Sequence, residues 1–198
     1  MMGKKELEYF VDDISLMGVD EKEFGLIKDR ADIRVKAILP YIRGKDVLDI
    51  GCGSGYATDK YQVVAKNIMG LDIDEEAISF AVEHYPETNF MKGDMLDAFP
   101  KTYDVIIATE TLEHVLVADW DKILKNVSSA LNEGGIFLGT IPVEGYTESW
   151  DSHKARYNMD VFKTKFSSYF GEGLVTQLTF PWYYPSYFFR FIKEEKNG

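Results

Sequence analysis

The sequence predicts an α/β protein, a seven-stranded sheet with helices on both faces whose last two strands close as an antiparallel hairpin. Three observations carry that prediction. Between residues 46 and 141, five short apolar runs of strand length alternate with segments of helical spacing; a glycine-rich loop follows the first run; and two β-prone runs lie close together near residue 190. Strands separated by helical crossovers are parallel, because the return path between them is long, whereas two strands a few residues apart pair as a hairpin.

Taken in order, residues 4–17 set Leu7, Phe10, Val11, Ile14 and Met17 at three- and four-residue intervals, which is helical spacing. A second helix fits 27–42, with Ile27, Ala31, Ile38, Tyr41 and Ile42 on one side and Gly44 near its end. Strand-type runs follow at 46–50, 68–72, 88–92, 103–108 and 136–141, with helical spacing at 75–84 and 118–131. After a helix-like 159–169, residues 174–180 alternate and 187–192 (YFFRFI) is strongly β-prone, Pro181 and Pro185 bracketing the connection. Nothing marks a repeat or a linker, so the expectation is one domain over residues 1–198, with 1–43 as an N-terminal helical cap.

Composition excludes several classes. With 45% hydrophobic and 28% charged residues the chain reads as an ordinary globular protein, and no apolar run reaches the roughly 20 residues of a membrane span. The first residues lack the apolar core of a secretory signal, and the single cysteine, Cys52, permits neither an internal disulfide nor a Cys-rich zinc site; a cytoplasmic location is the expectation. A formal charge of −11 argues against a broad nucleic-acid face.

The chemistry concentrates in Val47-Leu48-Asp49-Ile50-Gly51-Cys52-Gly53-Ser54-Gly55-Tyr56. A glycine loop after a strand ordinarily cradles phosphate on bare backbone N–H groups. Here the dinucleotide pattern fails, since its third glycine position is Tyr56, and Asp49 would repel a pyrophosphate. The stretch closely resembles the first motif of class I S-adenosylmethionine-dependent methyltransferases. That resemblance implies a Rossmann-like fold and S-adenosylmethionine as cofactor, a cation without phosphate. It implies further that Asp49 holds the methionine ammonium through water, while Gly51, Cys52, Gly53 and Gly55 pass close to the cofactor's amino-acid end. Asp72 closes the second strand 17 residues after Gly55 (72 − 55 = 17). By resemblance it accepts from the ribose hydroxyls, with Ile73 beside it; Asp94 accepts from the adenine amino group, and Met95 offers backbone N–H and an apolar side. Read alone, Asp72 or Asp94 could simply cap a following helix.

Residues 103–115 resemble the fourth-strand region of the subset that includes ubiquinone-pathway O-methyltransferases. The resemblance puts Glu110 in the cofactor site and His114 beside the transferred methyl, as a general base with an ordinary pKa near 6.5. The alternative is that His114 packs against the loop after strand five. If the segment is helical, Glu110, Glu113 and His114 fall on neighbouring faces, where oxygen and imidazole ligands converge. This spacing is similar to the metal-binding segment of small-RNA 3′-terminal 2′-O-methyltransferases, with His153 as a later ligand; the reading adopted is the metal-free one. His84, near the end of a helix, reads as structural. The long segment 142–158, carrying Tyr146, Trp150, His153 and Tyr157, reads as a lid or binding loop, and Phe180 to Pro185 as a pocket border or a partner patch. The expected function is methyl transfer to an oxygen or nitrogen of a small-molecule acceptor. Its rivals are a metal-assisted RNA methyltransferase, a catalytically silent methyltransferase-like subunit, and a nicotinamide oxidoreductase, against which Tyr56 and Asp49 both count.

Overall fold

Strand order in the sheet is β3-β2-β1-β4-β5-β7-β6, from strands β1 Asp46–Ile50, β2 Asn67–Asp72, β3 Asn89–Lys92, β4 Tyr103–Thr109, β5 Leu131–Pro142, β6 Gly173–Leu178 and β7 Ser186–Ile192. The computed structural model describes residues 21–143, 153–155, 157–180 and 185–194. Pairing is parallel from β3 through β5 and antiparallel at β5–β7 and β6–β7, as the alternation and the terminal hairpin predict. Strand order reverses between β1 and β4, and in such sheets the crevice beyond the strand ends at that reversal receives ligands. Ile50 is in register with both Leu71 and Ala108, so the loops leaving β1, β2 and β4 emerge at one edge.

Among the described residues five helices cover the sheet: α1 Glu21–Ile42, α2 Tyr56–Gln62, α3 Glu75–His84, α4 Trp120–Ala130 and α5 Met159–Phe170. The period-two alternation of β4 sorts them between faces. Val105 and Ile107 pack with Val35, Ile38 and Ile42 of α1 and with Tyr61 of α2. Ile106 and Ala108 pack on the other face with Trp120, Ile123, Leu124 and Val127 of α4 and Phe162, Phe166 and Phe170 of α5. That second core is strongly aromatic: the Phe162 and Phe166 rings stack 4.0 Å apart, and Phe166 also meets Phe137 and Phe189. Each buried phenylalanine contributes on the order of 1.5–3 kcal/mol through burial alone.

Several boundaries differ from the sequence reading, each for a physical reason. Helix α2 escapes it because seven residues with Thr58, Asp59 and Lys60 at their centre show no apolar period; Gly55, at φ 86°, turns the chain into it. Helix α1 starts at Glu21 rather than residue 27, and β5 starts at Leu131 rather than 136, with a register shift between the Tyr103–Leu131 and Val105–Ile136 pairs. The predicted helix 118–131 is shortened by a 3₁₀ turn over Val117–Asp119. The predicted helix 4–17, the loop aromatics Tyr146 and Trp150, and Trp182 to Tyr184 lie outside the described residues. No described helix is long and apolar enough to cross a membrane.

Candidate functional site

Strand β1 delivers Asp49 to the reversal point with its side chain sealed in, 3% exposed. Thr58, in the first turns of α2, donates a 2.7 Å hydrogen bond to Asp49 Oδ2. Burial pushes the Asp49 carboxyl up to about 7; the Thr58 bond opposes that rise, and the negative charge of Asp72 adds to it.

The glycines of the loop divide by role. A methyl group at Gly51 would stand 2.3 Å from Thr111 Cγ2, and one at Gly55 would stand 2.6 Å from the Phe90 ring, so both answer to packing as well as to their positive φ. Gly53, at φ 53°, has nothing within 4 Å of that position. It is where bare backbone faces open space, and its N–H donates to Asp72 Oδ2 at 2.8 Å. Gly51 N–H and Cys52 N–H both donate to the Leu71 carbonyl, lacing the loop to β2. The Cys52 thiol is driven well above its ordinary range, first by burial and then by Asp49 and Asp72, so it stays protonated and chemically quiet.

A cavity of about 320 Å³ is lined by Asp49, Gly51, Cys52 and Gly53 from the β1 side, by Thr109 and Glu110 at the end of β4, by Tyr56 and Tyr61 of α2, and by Ala31 and Arg34 of α1. Asp72 joins this wall through Gly53, while Ile73, Asp94 and Met95 stand farther along the same sheet edge rather than in the cavity lining. Ile73 is 64% exposed, and Met95 packs partly on the core with its carbonyl held by Asn126 of α4. Helix capping explains neither aspartate. The N-cap of α3 is Asp74, whose carboxylate accepts from Glu76 and Ala77, whereas Asp72 Oδ1 accepts from Asp74 N–H. Asp94 Oδ1 accepts from Leu96 N–H in a turn that no helix follows.

Glu110 corrects the helical ligand spacing. It sits at φ 50°, a left-handed conformation unusual for a residue with a side chain, and its carboxylate turns to α1, where Arg34 holds it at 2.7 Å and Arg30 stands 3.7 Å away. Both guanidinium groups also lie over the Phe180 ring, at 5.4 and 5.2 Å. The next residues form a 3₁₀ turn, Leu112–His114, so Glu110 does not converge with Glu113 and His114. The other three expected ligands do converge: ligand atoms of Glu113, His114 and His153 all lie within 4.8 Å of one another. The Glu113 carbonyl accepts from Lys154 and Ala155 N–H groups, which pins His153 there, and the two imidazoles meet edge to face at 5.0 Å. Glu113 is 1% exposed, and burial followed by the charge of Glu110 raises its carboxyl well above the usual range. His114 thus packs against the segment after β5 and still leaves nearly half its side chain exposed. His84 is structural, its ring stacked on Phe80 at the end of α3.

Sequence reasoning missed Arg34, Thr58, Tyr61 and Thr109. A signal for the first existed: Arg30 and Arg34 stand one turn apart on a helix whose neighbouring positions are apolar.

Residues 26–179 match the family model described as a methyltransferase domain. Among curated proteins, the chain is 32% identical over 103 residues to a probable S-adenosylmethionine-dependent methyltransferase of Mycolicibacterium smegmatis (50% of this chain, 38% of that protein). It is 33% identical over 106 residues to the ubiquinone biosynthesis O-methyltransferase of Proteus mirabilis (50% and 42%). To the ribosomal protein L11 methyltransferase of Dictyoglomus turgidum it is 32% identical over 114 residues (52% and 35%). The matched region thus spans about two fifths of the length of these relatives. Among solved structures, the magnesium protoporphyrin IX methyltransferase of Synechocystis PCC 6803, with bound S-adenosylhomocysteine, superposes with a TM-score of 0.71 at 16% identity, covering 89% of each chain.

Proposed function

The chain belongs to the class I S-adenosylmethionine-dependent methyltransferases, and we propose that it moves a methyl group from S-adenosylmethionine to an oxygen or nitrogen of a small-molecule acceptor. The observation that carries the cofactor site is the pairing of Gly53, an open left-handed backbone position, with a buried Asp49 carboxyl in one cavity wall. Such a wall suits a ligand end that is cationic and lacks phosphate. Asp49 would face the ammonium. Arg34, the only basic side chain among the described residues lining the cavity, would meet the carboxylate, and Asp72, Ile73, Asp94 and Met95 would hold the adenosine along the sheet edge. The Asp72 oxygens each accept one backbone N–H and keep a second lone pair for a ribose hydroxyl. Helix α1 contributes Ala31 and Arg34 to the wall, which supports reading the N-terminal region as a cap.

The cofactor supplies a methyl group already activated on sulfonium sulfur. The protein then has to orient the acceptor in line and receive its proton. His114, partly exposed beyond the end of β4, is the base in this reading. An acidic chain favours a small acceptor over RNA. Transfer of labelled methyl from S-adenosylmethionine across a panel of phenols, quinols and amines tests the assignment; labelling of RNA alone would replace it.

A second reading rests on the cluster Glu113, His114 and His153. A carboxylate and two imidazoles are a donor set for a divalent ion, which would polarise an acceptor oxygen. In that arrangement His114 is a ligand and not a base.

A further inference from the structure

The two edges of the sheet are built differently. β3 is four residues long and ends on Lys92, whose ammonium meets Glu75 at 2.7 Å, so a short charged strand closes that side. β6, whose one strand partner among the described residues is β7, runs six residues, Gly173–Leu178, with no charge, proline or register shift. Natural edge strands ordinarily carry such guards, because an open row of N–H and C=O groups is a template for another strand. β6 also opens the longest uncharged run in the sequence, 173–189, although 28% of the chain is charged. Beside this edge the sheet leaves apolar side chains uncovered: Leu174 lies opposite Arg190, which puts Ile192 on the same face, and the two are 42% and 43% exposed.

We propose that β6 is a dimer edge, pairing antiparallel with β6 of a second copy of this chain about a two-fold axis and joining the two sheets into one. An antiparallel edge is self-complementary, since half a turn sets its donors against its own acceptors. Charge selects this occupant. Each chain carries a formal −11, so two copies meet best where neither presents a charge, whereas a basic partner is drawn to acidic surface and gains nothing from a neutral strip. The chain's own first residues do not suit the edge, because 4–17 space their apolar side chains as a helix and carry Glu6, Glu8, Asp12 and Asp13.

Sedimentation velocity of the full chain from about 1 to about 100 μM, with hydrogen exchange of the 173–178 amides at both ends of that range, tests the edge by mass action. The expected result is a dimer of twice the 22.6 kDa chain mass at the upper concentrations, with those amides better protected there than at the lower ones. Thr176→Lys, at an exposed position in the middle of β6, brings like charges together near the axis and is expected to weaken the dimer about 10-fold or more without lowering the melting temperature of the monomer. A wild-type chain that stays monomeric, β6 exchange that does not change with concentration, a dimer that Thr176→Lys leaves as tight, or assemblies that grow past two copies each overturn the proposal. Should Thr176→Lys melt lower than wild type, Gln177→Lys, exposed on the opposite face of the strand, replaces it and is read in the same way. The dimer edge stands or falls independently of the adenosyl site, since no arm of the experiment uses a ligand.

Discussion

Thr58 Oγ1 donates a 2.7 Å hydrogen bond to Asp49 Oδ2, and both side chains are sealed from solvent beneath the glycine loop. The bond steadies the carboxylate form without restoring what burial takes away, so the Asp49 carboxyl still sits at about 7.

The sign of the linkage follows. The folded protein holds this proton more tightly than the unfolded chain, where the ordinary value is 3.8. Asp49 thus favours the fold most below about pH 4 and progressively loses that contribution as pH rises through about 7. Asp49→Asn is expected to be more stable than wild type at pH 8 by roughly 2–4 kcal/mol, at about 1.4 kcal/mol per pKa unit, with the gain vanishing toward pH 4. Urea denaturation at the two pH values checks this. A ligand ammonium needs the ionised form, so S-adenosylhomocysteine affinity should climb as pH rises from 5.5 through about 7 and level off about one unit above that; a flat profile would mean that Asp49 does not face the ligand's charge.

Asp72 does two jobs through one carboxylate, holding Gly53 N–H and Asp74 N–H while presenting lone pairs to a ribose. Asp72→Ala is expected to weaken S-adenosylhomocysteine by roughly 1–3 kcal/mol. Asp72→Asn should fall between, because one of its two polar atoms becomes a donor facing a donor. Calorimetry on the pair reads this directly, and unchanged affinity in both would move the ribose elsewhere.

Arg34 is bound to Glu110 and lines the cavity. Arg34→Ala should cost about 1.5–3 kcal/mol of S-adenosylhomocysteine binding, and Arg34→Lys should recover only part of it, since a point charge cannot reproduce the planar fork. Full recovery by lysine would reduce the role to charge alone.

Phe166 stacks on Phe162 and Phe137 in the core beneath α5. Phe166→Ala is expected to destabilise the protein by about 3–5 kcal/mol in urea. A loss under about 1 kcal/mol would show that this face is not the principal core.

His114 separates the two catalytic readings. As a free base, His114→Ala lowers turnover roughly 10²–10⁴-fold, and exhaustive chelation changes nothing. As a metal ligand beside Glu113 and His153, it makes activity return only with added metal, and His153→Ala imitates the chelator. Full activity of the metal-free protein, the expected result, eliminates the metal.

Strand alternation made the sheet legible, because apolar runs such as Asp46–Ile50 and Tyr103–Thr109 are buried on both faces and read as unbroken strands. The glycine loop and Asp72 were legible because backbone freedom and charge leave a mark at fixed spacing. What stayed hidden depends on contacts distant in sequence. Nothing around Thr58 or Tyr61 announces that a short polar helix turns them toward Asp49. The fate of Glu110 is set by an arginine 76 residues earlier, which local spacing cannot register. The same long-range geometry takes Glu110 out of the expected ligand set and leaves Glu113, His114 and His153 together.

Titration of the wild-type protein with S-adenosylhomocysteine and with NAD decides whether the cavity under the glycine loop holds an adenosyl cofactor. The expected result is one S-adenosylhomocysteine bound per chain in the micromolar range and no heat from NAD; tight NAD binding with no response to S-adenosylhomocysteine would contradict it.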